Sequence, residues 1–458
     1  MKTDLKNIRC MYFAGIGGIG MSALARYFKA AGVYVAGYDR VRSPLCEKLE
    51  AEGMEIAYDD APRFIPERFT DASTKESLVV YTPALPERHA GLNYLRQTGR
   101  EVIKRSELLG RITREKRTAA IAGTHGKTSV SALTAHLLNA GDVPANAFLG
   151  GIAGNFDSNV VIRPESPIAV AEADEYDRSF LRLSPEVAVV TSVGADHLDV
   201  YGDAEQLIDA FNAFAERVPA TGAVFCKYGL PVKAAARIVT YGIDCPADIT
   251  ASGIEVRDGR FSFEVTAYGR SLGRTAWDFA GRHNIENALA ATGIALWFGV
   301  KSERISELIR SFRGVKRRFE THVKRPDCVY IDDYAHHPEE IEACIGSARE
   351  LYPEKRITGV FQPHLYSRTR DFGDEFARSL EALNELLLME IYPAREEPIP
   401  GIDGSWLLNK VALVNKKLCD RENVVDEVLS LAPEVLLTMG AGDIDRLVKP
   451  IKDALDEK

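Results

Sequence analysis

Two glycine-rich loops constrain the fold of this chain more than any other feature of its sequence. The first, Gly-Ile-Gly-Gly-Ile-Gly at residues 15–20, lies between an apolar run and a helix-like segment at 21–31. The second, Gly-Thr-His-Gly-Lys-Thr at 123–128, lies between an apolar run and a helix-like segment at 129–140. Strand, glycine loop and helix in this order open a parallel α/β sheet, so the sequence predicts at least two α/β domains.

The last third of the chain repeats the alternation of strand and helix. Apolar runs at 328–332 and 356–362 are each followed by a helix-like stretch. At roughly 150 residues per domain, a chain of 458 residues is long enough for three domains. We therefore predict three α/β domains in series. They are an N-terminal Rossmann-like domain, a central P-loop domain with a mainly parallel sheet and a C-terminal Rossmann-like domain, at 1–108, 109–314 and 315–458.

Charge and composition exclude several classes of function. The 57 Lys+Arg and 66 Asp+Glu residues give a formal net charge of -9, which argues against a nucleic-acid-coating surface or a polybasic membrane anchor. No apolar run approaches the ~18 residues that span a membrane, and the first residues lack the apolar segment of a secretory signal. Because the seven cysteines are scattered without a C-x-x-C pair, we predict reduced thiols and a cytoplasmic protein.

The loop at 15–20 fits the G-x-G-x-x-G pattern of dinucleotide-binding folds. Such glycines let the backbone approach a phosphate at a helix N-terminus, where free N–H groups and the helix dipole favour anions. Asp39 follows at about the spacing expected of an acid that contacts a ribose. Taken alone, the motif leaves open a nicotinamide cofactor, a nucleotide sugar and a tight turn without a ligand.

The loop at 123–128 ends in Gly-Lys-Thr, which is the phosphate-binding end of a P-loop. In such a loop Lys127 would reach the β- and γ-phosphates and Thr128 would bind Mg²⁺. The full pattern has one more glycine, at the position of Ile121, so the loop is a shortened variant. A P-loop in the second domain argues against a simple dehydrogenase.

Carboxylates and a histidine follow two further apolar runs of the central domain. Glu172 and Glu175 belong to the acidic stretch 171–177, where hard oxygen ligands facing a P-loop could hold Mg²⁺. A solvated acidic loop is the alternative. Asp-His-Leu-Asp at 196–199 follows the next run. Because histidine is an unusual ligand of Mg²⁺, a hydrogen-bonding role for His197 is an equal alternative.

Polar clusters also occur later in the chain. His-Asn-Ile-Glu-Asn at 283–287 begins a helix, and a capped helix start is its alternative. The densest basic cluster, 312–320, lies at a predicted domain junction, where it either closes on a phosphate or forms a solvated face. Two polar loops of the third domain, 332–338 and 361–370, follow adjacent predicted strands, where ligand-contacting residues of open α/β sheets are expected. Helix caps and surface loops are the alternative.

Together these motifs resemble those of the Mur ligases of peptidoglycan synthesis. The resemblance rests on both glycine loops, the acidic stretch, Asp-His-Leu-Asp, His-Asn-Ile-Glu-Asn and both polar loops of the third domain, which follow the family's order over residues 15–370. It is greatest to the members that join L-alanine to UDP-N-acetylmuramate. It implies that the N-terminal domain holds the UDP-sugar, that the central domain holds ATP, and that the C-terminal domain closes over both.

The resemblance also implies roles for individual residues. The residues expected to hold the UDP-sugar are Gly15, Gly17, Gly18, Ile19, Gly20 and Asp39. Those expected to hold ATP are Gly123, Thr124, His125, Gly126, Lys127, Thr128 and Ser129, with His283, Asn284 and Asn287 on the adenine side. Those expected to hold Mg²⁺, or Mn²⁺ in its place, are Thr128, Glu172 and His197, with Glu175 as the alternative carboxylate. Those expected to act in catalysis are Lys127, Glu172, His197, Arg313, His336 and Arg368.

The implied reaction is an ATP-dependent ligation in which the lactyl carboxylate of the sugar becomes an acyl phosphate that the amine of L-alanine attacks. The implied partners are these small molecules, without nucleic acid or membrane, and the implied assembly is a monomer or weak homodimer. Because the stretch 204–216 contains no lysine, we expect no carbamylated lysine after His197.

Two alternatives remain. One is a family member that attaches a tripeptide to the same sugar in cell-wall recycling, and the other is a dinucleotide-binding protein without ligase activity.

Overall fold

The computed structural model describes residues 4–194, 201, 203–257, 259–277, 279, 281–394 and 396–457. The chain divides into two compact units. The first contains the residues up to 252 together with 264–273 and 286–313, and the second contains 253–263, 274–285 and 314–458. Within the described ranges, no helix combines the length and the apolar character that a membrane crossing requires.

The first sheet has five parallel strands connected by helices. Its elements are β1 Cys10–Ala14, α1 Ile19–Ala30, β2 Tyr34–Tyr38, α2 Pro44–Ala51, β3 Glu55–Ala57, α3 Glu67–Thr70, β4 Ser77–Tyr81, α4 Ala90–Gln97, β5 Glu101–Lys104 and α5 Arg105–Glu115. The strand order is β3-β2-β1-β4-β5. Every residue of β1 and β2 is buried, as expected of parallel strands covered on both faces. The chain order reverses at β1, which is where open α/β sheets bind ligands.

The second sheet has ten strands, and its central strand leads into the P-loop. Its elements are β6 Arg117–Ala122, α6 Lys127–Ala140, β7 Asn146–Ala153, β8 Ser158–Val161, β9 Ile168–Glu172, β10 Val187–Val190, α7 Ala204–Ala215, β11 Ala223–Lys227, β12 Arg237–Ile243, β13 Ile249–Arg257, β14 Arg260–Ala267, β15 Arg270–Trp277, α8 Arg282–Trp297 and α9 Ile305–Arg310. The order is β15-β14-β13-β12-β11-β10-β6-β9-β7-β8. Strand β6 is parallel to both of its neighbours, β9 and β10.

The third sheet, in the second unit, has six strands. Its elements are β16 Glu320–Lys324, β17 Val329–Asp333, α10 Pro338–Leu351, β18 Ile357–Phe361, α11 Tyr366–Asp371, α12 Gly373–Leu380, β19 Glu385–Leu388, α13 Gly404–Lys410, β20 Lys416–Leu418, α14 Val424–Leu431, β21 Val435–Met439 and α15 Asp445–Asp456. The order is β16-β17-β21-β18-β19-β20, and the pairing is parallel except between β16 and β17.

The prediction of three α/β segments with mainly parallel sheets is confirmed. Sequence analysis assigned no strand within residues 237–277, where the structure has β12 to β15. The reason is visible in β14, in which buried residues alternate with more exposed ones. A strand with one solvated face lacks the continuous apolar run by which the buried parallel strands were recognised.

The packing of the first unit can be tested at an aromatic cluster formed by Phe180, Phe211 and Phe214. The ring centroids of Phe180 and Phe214 are 5.1 Å apart, those of Phe180 and Phe211 are 5.5 Å apart, and all three side chains are buried. We expect Phe211→Ala to lower the free energy of unfolding by about 3–5 kcal/mol, since it removes a buried ring and leaves a cavity. Urea denaturation followed by circular dichroism measures the loss. The matched control is Phe64→Ala, at an exposed ring, and an equal loss in both variants would contradict this packing.

Candidate functional site

The carboxyl ends of three parallel strands meet at one edge of the ten-stranded sheet. In the register of β6, Ile121 pairs with Glu172 of β9, and Ala122 pairs with Val190 of β10. The glycine loop 123–128 therefore emerges beside the last residue of β9 and the residues that follow β10. Polar groups at such an edge are in position to contact a ligand.

The backbone of the second glycine loop takes conformations that side chains would hinder. Gly123 has φ +139° and Gly126 has φ +82°, and a Cβ at Gly123 would lie 1.9 Å from Thr191 Oγ1. Helix α6 begins at Lys127, directly after the loop. The N–H groups of its first turn have no partners within the helix and, with the helix dipole, favour an anion at this end.

Two hydroxyl residues after β10 hold the loop in place. Thr191 Oγ1 donates to the carbonyl of His125. Ser192 Oγ accepts from the His125 N–H at 2.9 Å and lies 2.9 Å from Thr124 Oγ1. Sequence analysis did not select either residue, although their position directly after an apolar run was a usable signal.

Lys127 forms an ion pair within the site. Its Nζ donates to Glu175 Oε1 at 2.8 Å and to the carbonyl of Gly123 at 2.6 Å. Glu175 is fully buried, and this burial raises its pKa, while the ammonium of Lys127 acts in the opposite direction. Glu175, the alternative metal ligand of the sequence analysis, therefore forms an ion pair with the P-loop lysine.

Thr128 and Glu172 bring together oxygen atoms that suit a hard cation. Thr128 Oγ1 donates to the two carboxylate oxygens of Glu172 at 3.0 and 3.2 Å, and the N–H of Gly150 donates to Oε2 at 2.8 Å. Burial raises the pKa of Glu172, and Lys127 lowers it. A hydroxyl and a carboxylate are donors that fit Mg²⁺. His197, the third predicted ligand, lies outside the described residues.

Asn287 lies against the glycine loop. Its side chain is 8% exposed, and a Cβ at Gly126 would lie 2.6 Å from Asn287 Oδ1. A residue predicted for the adenine side is therefore next to the loop. His283 and Asn284 lie in the first turn of the same helix, α8, where His283 is exposed and Asn284 is half-buried.

The first glycine loop is fixed to the second strand of its sheet. The N–H of Gly15 donates to the carbonyl of Tyr38 at 2.7 Å, and the N–H of Gly17 donates to Asp39 Oδ2 at 2.8 Å. The carboxylate of Asp39 therefore holds the loop, and its contact with a ribose stays a prediction. Gly15 has φ +87°, a conformation for which glycine is suited.

A cavity of about 320 Å³ in the first unit is lined by the first glycine loop and by Glu172, whose carboxylate accepts from Thr128 of the P-loop. Residues 18–21 of the first loop and of α1 line one side, and Gly150, Glu172 and Asp174 line the other. Arg105, at the start of α5, also lines it. Sequence analysis passed over Arg105, because no recognisable motif marks it.

In the second unit, two arginines flank the carboxyl end of β17. Arg317 Nε donates to Asp332 Oδ2 at 3.0 Å, and Asp332 is fully buried. The guanidinium carbons of Arg317 and Arg318 lie 5.3 and 5.2 Å from the ring centroid of Tyr334. Within the basic cluster, sequence analysis selected Arg313 and missed these two.

His336 and Arg368 lie in the polar loops of the same unit. His336 Nδ1 is 3.0 Å from the carbonyl of Tyr334 and 3.0 Å from Glu340 Oε2. The rings of His336 and His364 are 6.1 Å apart. Arg368 Nη1 is buried and has no hydrogen-bond partner in the described part of the chain. A buried donor of this kind is suited to an anionic ligand.

Arg313 belongs to the first unit. It is exposed, and its backbone N–H donates to Asn155 Oδ1 at 2.7 Å. Its predicted contact with phosphate stays a prediction.

The sequence matches three family descriptions in succession. Residues 11–117 match "Mur ligase family, catalytic domain", residues 121–295 match "Mur ligase middle domain", and residues 317–442 match "Mur ligase, glutamate ligase domain".

Curated relatives match almost end to end. The UDP-N-acetylmuramate–L-alanine ligase of Christiangramia forsetii is 44% identical over 452 residues, which cover 99% of each chain. The enzyme of the same name from Porphyromonas gingivalis is 47% identical over 451 residues, which cover 97% of this chain and 98% of the relative.

Solved structures share the fold. The UDP-N-acetylmuramate–alanine ligase of Thermotoga maritima has a TM-score of 0.80 at 25% identity and covers 98% of this chain and 99% of its own. A murein peptide ligase from Psychrobacter arcticus has a TM-score of 0.69 at 21% identity, with 98% and 99% coverage, and is similar in fold alone.

The contact between Gly150 and Glu172 can be tested by adding one methyl group. A Cβ at Gly150 would lie 2.3 Å from Glu172 Oε2, so Gly150→Ala has to displace this carboxylate. We expect the affinity for Mg²⁺–ADP to fall by about tenfold, as is typical when the support of a metal ligand is disturbed. Isothermal titration calorimetry measures it. The control is Gly346→Ala, where a Cβ meets nothing within 4 Å, and unchanged affinity in both variants would contradict the assignment.

Proposed function

The chain belongs to the Mur ligase family, and from this premise we propose that it joins L-alanine to the lactyl carboxylate of UDP-N-acetylmuramate with the use of ATP, in peptidoglycan synthesis. The observation that carries the proposal is a cavity lined both by the glycine loop of the first sheet and by Glu172, the carboxylate that bonds to Thr128 of the P-loop. Relatives of the corresponding name, 41–47% identical over nearly the whole chain, support this substrate pair.

The geometry of the P-loop suits the first chemical step. Residues 123–129 would hold the phosphates of ATP, with Asn287 at the adjoining turn. Lys127 would exchange its ion pair with Glu175 for the phosphates and neutralise charge on the transferred phosphoryl group. The lactyl carboxylate attacks the γ-phosphorus, the bond to ADP breaks, and an acyl phosphate forms.

Thr128 and Glu172 would hold Mg²⁺, with His197 as the third proposed ligand. When bound, the ion supplies positive charge that offsets the charge of the phosphates. Glu172 faces the same cavity as residues 18–20, so its carboxylate is placed beside the expected path of the sugar's lactyl group.

The second unit would supply the amino-acid side of the reaction. Arg368 has a buried nitrogen suited to the carboxylate of L-alanine, and His336 lies in the neighbouring loop. The amine of L-alanine attacks the acyl carbon, phosphate leaves, and UDP-N-acetylmuramoyl-L-alanine forms. Exclusion of water protects the acyl phosphate from hydrolysis until the amine arrives. Arg313, Arg317 and Arg318 are the candidates for a contact with the phosphate.

The proposal includes domain boundaries at 1–108, 109–314 and 315–458, and a monomer or weak homodimer. It also includes a cytoplasmic location, which is supported by the free thiols of all seven cysteines. Tripeptide ligation and non-ligating dinucleotide binding are less well supported, because the curated relatives reported above, 44% and 47% identical to this chain, carry the alanine ligase name.

The test is the release of inorganic phosphate from ATP. We expect release to require both UDP-N-acetylmuramate and L-alanine, and we expect Lys127→Ala to reduce it at least about a hundredfold, since transition-state charge then lacks its cation. Binding of the UDP-sugar to this variant, measured by calorimetry, should stay within twofold of the wild type. Lys449→Ala, at an exposed lysine, is the control. Release of phosphate with a tripeptide in place of L-alanine would instead indicate a ligase that attaches tripeptides in cell-wall recycling.

A further inference from the structure

The cavity lined by the first glycine loop and Glu172 has one basic side chain. Of the described residues that line it, Glu172 and Asp174 are acidic and Arg105 alone is basic. A nucleotide diphosphate brings two negative charges into this space. Since like charges repel in a partly desolvated site, the diphosphate requires a cation on its side of the cavity.

Arg105 lies directly on the first turn of α1. A Cβ at Gly20 would be 2.8 Å from Arg105 Nη1 and 3.3 Å from its Cζ. The absence of a side chain at Gly20 therefore lets the guanidinium reach the helix. This is the helix whose N-terminal N–H groups are expected to face the diphosphate.

The guanidinium of Arg105 is held only loosely by its neighbour Asp174. Arg105 Nη2 is 3.8 Å from Asp174 Oδ2, and the two side chains are 28% and 45% exposed. An ion pair of this length and exposure contributes little to stability. A phosphate can replace Asp174 as the partner of Arg105 at little cost, and it offers a better match to the planar, two-pronged guanidinium.

We propose that Arg105 is a substrate-binding residue that grips the diphosphate of the UDP-sugar on the first turn of α1 and leaves Asp174 when it does so. This inference rests on the proposed function for the identity of the ligand. The diphosphate, rather than the lactyl carboxylate, is the partner because the guanidinium lies over Gly20, at the beginning of α1.

Direct binding of UDP and of UDP-N-acetylmuramate, measured by calorimetry, tests the proposal. We expect Arg105→Ala to weaken both ligands by a similar factor, about 10- to 100-fold, because a charged two-pronged contact is lost. Arg105→Lys should fall between this variant and the wild type, since an ammonium keeps the charge without the fork. Affinity for Mg²⁺–ADP should stay within twofold. Arg114→Ala, at an exposed arginine of the same helix, is the matched control.

A second variant separates ligand binding from a structural role of the ion pair. Asp174→Asn removes the internal partner of Arg105 but keeps the arginine, so UDP should bind as tightly as in the wild type or more tightly. If Asp174→Asn loses UDP affinity as strongly as Arg105→Ala does, the pair serves the structure and the proposal is overturned. It is equally overturned if Arg105→Ala binds UDP within twofold of the wild type.

The readouts also distinguish this proposal from the proposed function. Arg105-dependent UDP binding without phosphate release from UDP-N-acetylmuramate and L-alanine supports the role of Arg105 and rejects the activity. Phosphate release that needs both substrates, with normal UDP binding in Arg105→Ala, supports the activity and rejects the role of Arg105. A wild-type protein that binds neither UDP nor UDP-N-acetylmuramate and releases no phosphate rejects both.

Discussion

The parallel pairing of β6 with β9 and β10 is the constraint on which the rest of the site depends. It brings three chain segments that are distant in sequence to one edge of the sheet, at the same height. Glu172 is the last residue of β9, so its carboxylate reaches Thr128 at the start of α6. Thr191 and Ser192, just past β10, bond to the loop itself. The contacts of Glu172, Thr191 and Ser192 with the P-loop follow from this pairing.

Two neighbouring acids of one loop, Asp174 and Glu175, lie next to two basic side chains for which we propose contacts with phosphates. Glu175 is paired with Lys127 inside the P-loop, and Asp174 lies near Arg105 in the cavity beside it. The first pair is tightly buried and the second is half-exposed. A buried cation without a partner is costly, so Glu175 stabilises the buried Lys127. In the proposed complex a phosphate would replace the carboxylate as the partner of each basic side chain, so neither would be left without an anion.

In the second unit, Arg317 is likewise paired with an internal carboxylate. Arg317 bonds to the buried Asp332, whose other carboxylate oxygen accepts from Thr438 of the adjacent strand β21. The guanidinium is thereby fixed at the carboxyl end of β17, beside the polar loop that carries His336. This fixed placement suits the proposed contact of Arg317 with a phosphate, because a preorganised electrostatic contact costs no reorganisation during the reaction.

Sequence alone determined the two glycine loops, the helices after them, many of the buried strands and the candidate residues Lys127, Thr128 and Glu172. These depend on local properties, namely glycine at positive φ, helix starts and runs of apolar residues. Only the tertiary structure decided which strands are neighbours, and hence that Thr191, Ser192 and Asn287 contact the P-loop and that Arg105 lies on Gly20. Those contacts join segments far apart in the chain, and no local pattern records them, because strand order is set by the packing of the whole sheet.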